Sequence, residues 1–159
     1  MTYEIIDCTT PALIHKGNYG PSCYGGRSGN GCKSVIKHVT KAGRISWNVE
    51  AQEEALYLSG HQQSRNKILG IKLYKELKAK SIPVLNANVL DYLLAKPYLI
   101  PKSWEGKVVY FWGTIYQDFY DRPIVRCMQR WTSSSEWESH LQSLDTFWGR
   151  EYHAATHAG

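Results

Sequence analysis

Four cysteines and six histidines are the residues of this 159-residue chain best suited to covalent chemistry, and their placement sets the first question. Cys23 and Cys32 lie in a stretch between Asp7 and Glu50 that holds no acidic residue, whereas Lys16, Arg27, Lys33, Lys37, Lys41 and Arg44 all fall there. Positive surroundings favour the thiolate, the nucleophilic form of cysteine. His15, His38 or His61 would then serve as base, with Asp7 orienting it, which makes a Cys/His-dependent hydrolase or transferase one candidate activity. No local spacing singles out a pair, because such arrangements are defined by geometry and not by sequence order. Fourteen and eight residues separate Cys8, Cys23 and Cys32, too wide for the closely spaced pairs that hold structural zinc. Neither a metal nor a cofactor is expected.

The same stretch has the composition of an anion-binding loop. Gly26 to Ser34 reads GRSGNGCKS, one residue removed from the phosphate-cradling pattern in which lysine and a hydroxyl follow the last glycine directly. Cys32 intervenes, so ammonium, hydroxyl and helix N-terminus would not converge on one phosphate as a P-loop requires. A looser nest of backbone amides remains compatible with the glycines. Nucleic acid is the first partner considered. Arg27, Lys33, Lys37, Lys41 and Arg44 would meet phosphates, while Tyr24, Trp47 and the alternate residues Tyr110, Trp112 and Tyr116 would offer flat faces for base stacking. The same aromatic groups would equally anchor a protein partner, which makes an adaptor or inhibitor a further candidate.

These residues have to be positioned by an α+β domain spanning 1–159, with about three helices packed on a small antiparallel sheet. A strand is expected over residues 3–7, followed by a long glycine-rich basic loop over 8–34, a length of irregular chain that compact domains usually reserve for function. Asn48 begins a predicted helix running to Ser59-Gly60. Ser64 caps a second, in which Leu69, Leu73 and Leu77 recur every four residues. A third spans Asn86 to Ala95 and stops before Pro97. Val108 to Tyr116 is the strongest strand signal, with Val109, Phe111, Gly113 and Ile115 on its expected core face, and residues 123–131 return as the second strand of a hairpin. Residues 133–148 fit a helix or a further strand, and 153–159 read as a frayed tail.

The block PVLNANVLDYLLAKPYLIPKSWEGKVVYFWGTIY, Pro83 to Tyr116, resembles one that recurs in short, functionally uncharacterised bacterial proteins. Its markers are Leu-Asn-Ala-Asn before a helix, Ile-Pro-x-x-Trp, and Phe-Trp-Gly-Thr-Ile-Tyr. The resemblance implies no activity and assigns no site residue, and it leaves the basic loop outside its span.

Composition narrows the field. Six Trp and eleven Tyr stand against three Phe, the net charge is +5 and 43% of residues are apolar, a balance that supports a packed core and excludes global disorder. No apolar run is long enough to span a bilayer and the first residues lack the features of a signal peptide, so a cytoplasmic protein without membrane contact is expected, its thiols reduced.

Overall fold

The computed structural model describes residues 3–14, 32–64, 66–131 and 136–159. In chain order the elements are β1 (Glu4–Asp7), β2 (Cys32–His38), β3 (Arg44–Trp47), α1 (Val49–Gln52), β4 (Leu56–Tyr57), α2 (Gly60–Gln63), β5 (Ile68–Leu69), α3 (Gly70–Ala79) and α4 (Ala87–Ala95). Two 3-10 turns (Pro97–Leu99 and Lys102–Trp104) lead to β6 (Val108–Tyr110), β7 (Thr114–Asp118), β8 (Pro123–Gln129), β9 (Glu138–Ser143), β10 (Phe147–Trp148) and β11 (Tyr152–Ala155). Content is mixed α+β, with a sheet-rich core and four α-helices among the described residues.

A seven-stranded sheet runs β2-β7-β8-β6-β11-β4, with β9 on the far side of β8. β6 and β7 lie end to end along one side of β8, both antiparallel to it, in the registers Val108↔Gln129 to Tyr110↔Cys127 and Tyr116↔Ile124. The expected continuous strand 108–116 is therefore broken at residues 111–113. Into the break fits the chain before α4: the Gly113 N–H donates to the Leu85 carbonyl at 2.9 Å, and a Cβ on Gly113 would stand 2.8 Å from Asn86 backbone atoms. Only glycine admits so close an approach of two backbones.

The break reverses the side-chain alternation beyond it, as any one-residue slip in a strand must. Val109 and Phe111 pack with Leu90, Leu93, Trp47 and Trp104 on the α4 side. Tyr110, Trp112 and Ile115 pack with Leu73, Leu77, Trp148 and Tyr152 on the α3 side. Ile115 thus lies on the face opposite to that expected. Both faces are covered, and the buried aromatic rings are close-packed: Tyr110 and Trp148 centroids are 4.3 Å apart, Trp112 and Trp148 4.8 Å.

Tertiary hydrogen bonds override the local helix signals near residue 50. Asn48 does cap a helix, accepting from the Ala51 N–H at 3.0 Å, but α1 is a single turn. The Gln52 amide is engaged by Thr156 and Ala158, and the Glu53 carboxylate accepts from the Lys102 and Ser103 N–H groups, so the chain turns away to pair β4 with β11. Ser64 begins no helix: Ser59 and Gln62 form a capping box for α2, and Ser64 is the C-cap of that helix. α3 begins at Gly70, where a Cβ would fall 2.5 Å from Trp148 Nε1. Within 133–148, the described part forms β9 and β10. Of residues 153–159, read as a frayed tail, 153–155 belong to strand β11, parallel to β6, with Ala154 and Ala155 buried. Residues 32–34, assigned to the long loop, open strand β2.

Candidate functional site

The catalytic candidates among the described residues do not come together. Cys32 is fully buried and lies six residues from His38 on the same strand, about 20 Å away at the rise of an extended chain. His38 is committed to the fold. Its Nε2 lies 2.9 Å from the Thr10 carbonyl, which only accepts, so Nε2 carries the proton and Nδ1 accepts from the Thr114 hydroxyl at 2.8 Å. Thr114 Oγ1 in turn accepts the Ala87 N–H at the start of α4. His61 is exposed on α2. Asp7 accepts from the Thr9 hydroxyl and N–H, and these hydrogen bonds lead the effects that hold its carboxyl below the usual range. His15, Cys23, Tyr24 and Arg27 lie outside the described residues.

Register does place one cysteine opposite a histidine: Cys127 on β8 faces His140 on β9, and His140 Nε2 is 3.0 Å from Glu138 Oε2. Cys127 is fully buried and His140 nearly so, which bars a substrate from the thiol. Cys8 shows what burial does to such groups here. Desolvation, followed by the charge of Asp7, pushes its thiol up to about 11. No group of three or more His, Cys, Asp or Glu side chains able to hold a metal ion occurs among the described residues.

Among the described residues, the expected aromatic stacking groups are not open to a partner. Trp47, Tyr110, Trp112 and Tyr116 are each no more than 2% exposed. Trp47 donates from Nε1 to the Leu99 carbonyl, and its ring meets Trp104 edge-on.

The basic residues are exposed, but the stretch that lacks acids in sequence acquires them in space. Lys33 Nζ lies 3.2 Å from Asp121 Oδ1, and Arg44 sits opposite Asp7 in the β1–β3 pairing, where its charge adds to the lowering of the Asp7 carboxyl. Lys41 is exposed in the β2–β3 turn. Lys37 is different: its ammonium lies 5.9 Å from the centroid of the Tyr74 ring on α3, and Lys78 Nζ lies 5.3 Å from the same centroid. Tyr74 is held by near-parallel stacking on Trp112, with centroids 6.2 Å apart and an interplanar angle of 18°. Neither lysine forms an ion pair with a described residue. Glu76, the nearby acid of α3, is engaged by the Tyr57 hydroxyl at 2.6 Å, an O–H pushed up to about 12 by burial and then by Glu76 itself.

One strand and one helix thus bring two ammonium groups to a single aromatic ring. Lys72 and Lys75, exposed on α3 at three-residue spacing with Lys78, extend the positive surface along the helix. Sequence reasoning missed Lys78 and Tyr74, since lysines near the end of a helix are explained by its dipole alone. What would have pointed to them is that α3 must pack on the strand following Tyr110, which places the helix beside β2. No protein-family model, no curated protein and no solved structure matches the chain.

Proposed function

We propose that the protein binds an anionic partner, nucleic acid foremost, through the surface of β2 and α3 centred on Lys37, Tyr74 and Lys78. The observation that carries this reading is the convergence of two exposed ammonium groups on one ring, with no carboxylate of the described residues paired to either. A cation over an aromatic face is held in place without losing its charge, so it stays available to a phosphate. With Trp47, Tyr110, Trp112 and Tyr116 buried, this surface meets the phosphate backbone and is indifferent to base sequence.

The test is fluorescence anisotropy of a labelled mixed-sequence oligonucleotide, single-stranded and duplex, across a salt series. Binding weakens steeply with salt, and each reversal, Lys37→Glu or Lys78→Glu, lowers the slope of log K against log salt by about 1. Absence of binding at micromolar protein in low salt, or a slope unmoved by both reversals, overturns the proposal. Burial of Cys32 and the structural role of His38 weigh against the hydrolase alternative.

A further inference from the structure

Among the described residues β2, β4 and β9 each pair on one side only, and these edges of the large sheet are not built alike. β2 is interrupted by register shifts between Cys32 and Ser34 and between Val35 and Lys37, and it carries Lys33 and Lys37. β4 is two residues long. Bulges, lysines and brevity are the devices that keep edge strands from pairing with other chains. β9 has none of them. Its six residues, ESHLQS, pair one for one with β8 from Ile124↔Ser143 to Gln129↔Glu138 and include no lysine, arginine or proline. We infer that β9 is a dimerisation edge, which pairs antiparallel with β9 of a second copy of this chain about a two-fold axis at Leu141.

The register decides which backbone groups face outward. The Leu144 N–H donates to the Pro123 carbonyl at 3.0 Å, so Gln142 and His140 also turn their backbone groups to β8, and the intervening Ser139, Leu141 and Ser143 turn theirs away from it. Of these outward groups only the Ser143 carbonyl has a backbone partner among the described residues, the Thr146 N–H at 3.3 Å. Such an edge accepts a strand, and the order of residues along β9 selects its own copy. Antiparallel pairing about Leu141 sets Leu141 against Leu141, Ser139 against Ser143 and His140 against Gln142 of the second copy. Glu138, the one acidic residue of the strand, falls opposite Leu144, so no like charges meet in register. The Leu141 N–H and carbonyl bond reciprocally across the axis, and each Ser143 N–H reaches the Ser139 carbonyl. Leu141 is also the most exposed buried member, at 9%, of its cluster with Tyr116, Ala87 and Ile124, which a second Leu141 extends. A two-fold contact uses the same patch on both copies and closes at two. β2 lies at the other edge, beyond β7, so the inference is independent of the anion-binding surface.

Sedimentation equilibrium of the full chain over a range of concentrations tests it. A monomer–dimer equilibrium is expected with Kd on the order of 10 µM, since a contact made mainly by backbone leaves little surplus over the cost of association. Ser143→Pro removes the outward N–H at an edge position that tolerates proline, and weakens the dimer about tenfold or more. Ser143→Ala keeps that N–H and leaves the dimer intact. Hydrogen exchange on the unaltered protein supplies a readout that needs no variant: the Leu141 and Ser143 amides gain protection as concentration rises across the Kd. A monomer at several hundred micromolar overturns the inference. So do equal effects of Ser143→Pro and Ser143→Ala, assembly that continues beyond two copies, or a dimer in which the Leu141 and Ser143 amides exchange as fast as in the monomer.

Discussion

An interior and a surface site in this molecule each set a cation against a tyrosine, and they are built to different ends. In the interior, the Arg126 guanidinium is 3.0 Å from Asp91 Oδ1 and adjoins Tyr116, tying β8 to α4. Burial opposes its charge, but Asp91 and Tyr116 outweigh that and hold its pKa above the ordinary arginine value. On the surface, Lys37 and Lys78 share the Tyr74 ring, and among the described residues no acid is paired with them. A charge taken out of water must be matched by its neighbours. One left at the surface need not be, and is available to a partner. The interior cation is architecture and the surface pair is a binding feature.

The largest effect expected from breaking the interior arrangement is on stability. Arg126→Met leaves Asp91 without its guanidinium and should cost about 3–5 kcal/mol in urea unfolding, while adding Asp91→Leu recovers a large part, because an apolar replacement removes both desolvation penalties. A cost for Arg126→Met no greater than that of an ordinary surface substitution would contradict a structural role. Asn86→Ala comes next. Its Nδ2 donates to the Cys8 and Val39 carbonyls and its oxygen accepts from the Asn88 N–H, so truncation strands one buried and one partly buried acceptor and removes a helix cap. The expected loss is about 2–3 kcal/mol by the same measurement.

A smaller effect follows pH. The Cys8 thiol ionises near 9.0 when exposed and near 11 in the fold, so the folded chain keeps its proton where the unfolded chain has lost it. That contribution to stability is complete below pH 9 and is lost as pH rises towards 11. Cys8→Ser should flatten the alkaline limb of the unfolding midpoint plotted against pH; an unchanged limb would show that other groups dominate it. Smallest of all is the stability change for Lys37→Glu with Lys78→Glu, about 1 kcal/mol or less, since exposed cation–π contacts are weak.

The sequence was informative where one element decides the outcome by itself. Asn86 capping α4, Pro97 stopping it, and the apolar stripe of Leu73 and Leu77 on α3 are local signals that packing then accepted. It misled where distant chain competes for the same groups. Gln52 and Glu53 read as a helix yet bond to segments 49 to 106 residues away, and Ala154 and Ala155 read as tail yet complete the sheet. The candidate site was half legible for the same reason. Lys33, Lys37, Lys41 and Arg44 were visible as a basic run, but Asp121, which partners Lys33, and Tyr74, which positions Lys37, come from elements far along the chain. Aromatic alternation in Val108 to Tyr116 suggested an open face because nothing local reveals that α3 covers Tyr110 and Trp112, or that the break at 111–113 turns Tyr116 into a separate cluster with Cys32, Ala87 and Ile124.

The most direct measurement compares two double reversals that change net charge equally, Lys37→Glu/Lys78→Glu and Lys33→Glu/Arg44→Glu, in oligonucleotide binding at low salt. If the unpartnered lysines form the binding surface, the first variant loses binding and the second, whose native residues already face Asp121 and Asp7, retains most of it. Equal losses, or a greater loss for the second variant, would contradict that claim.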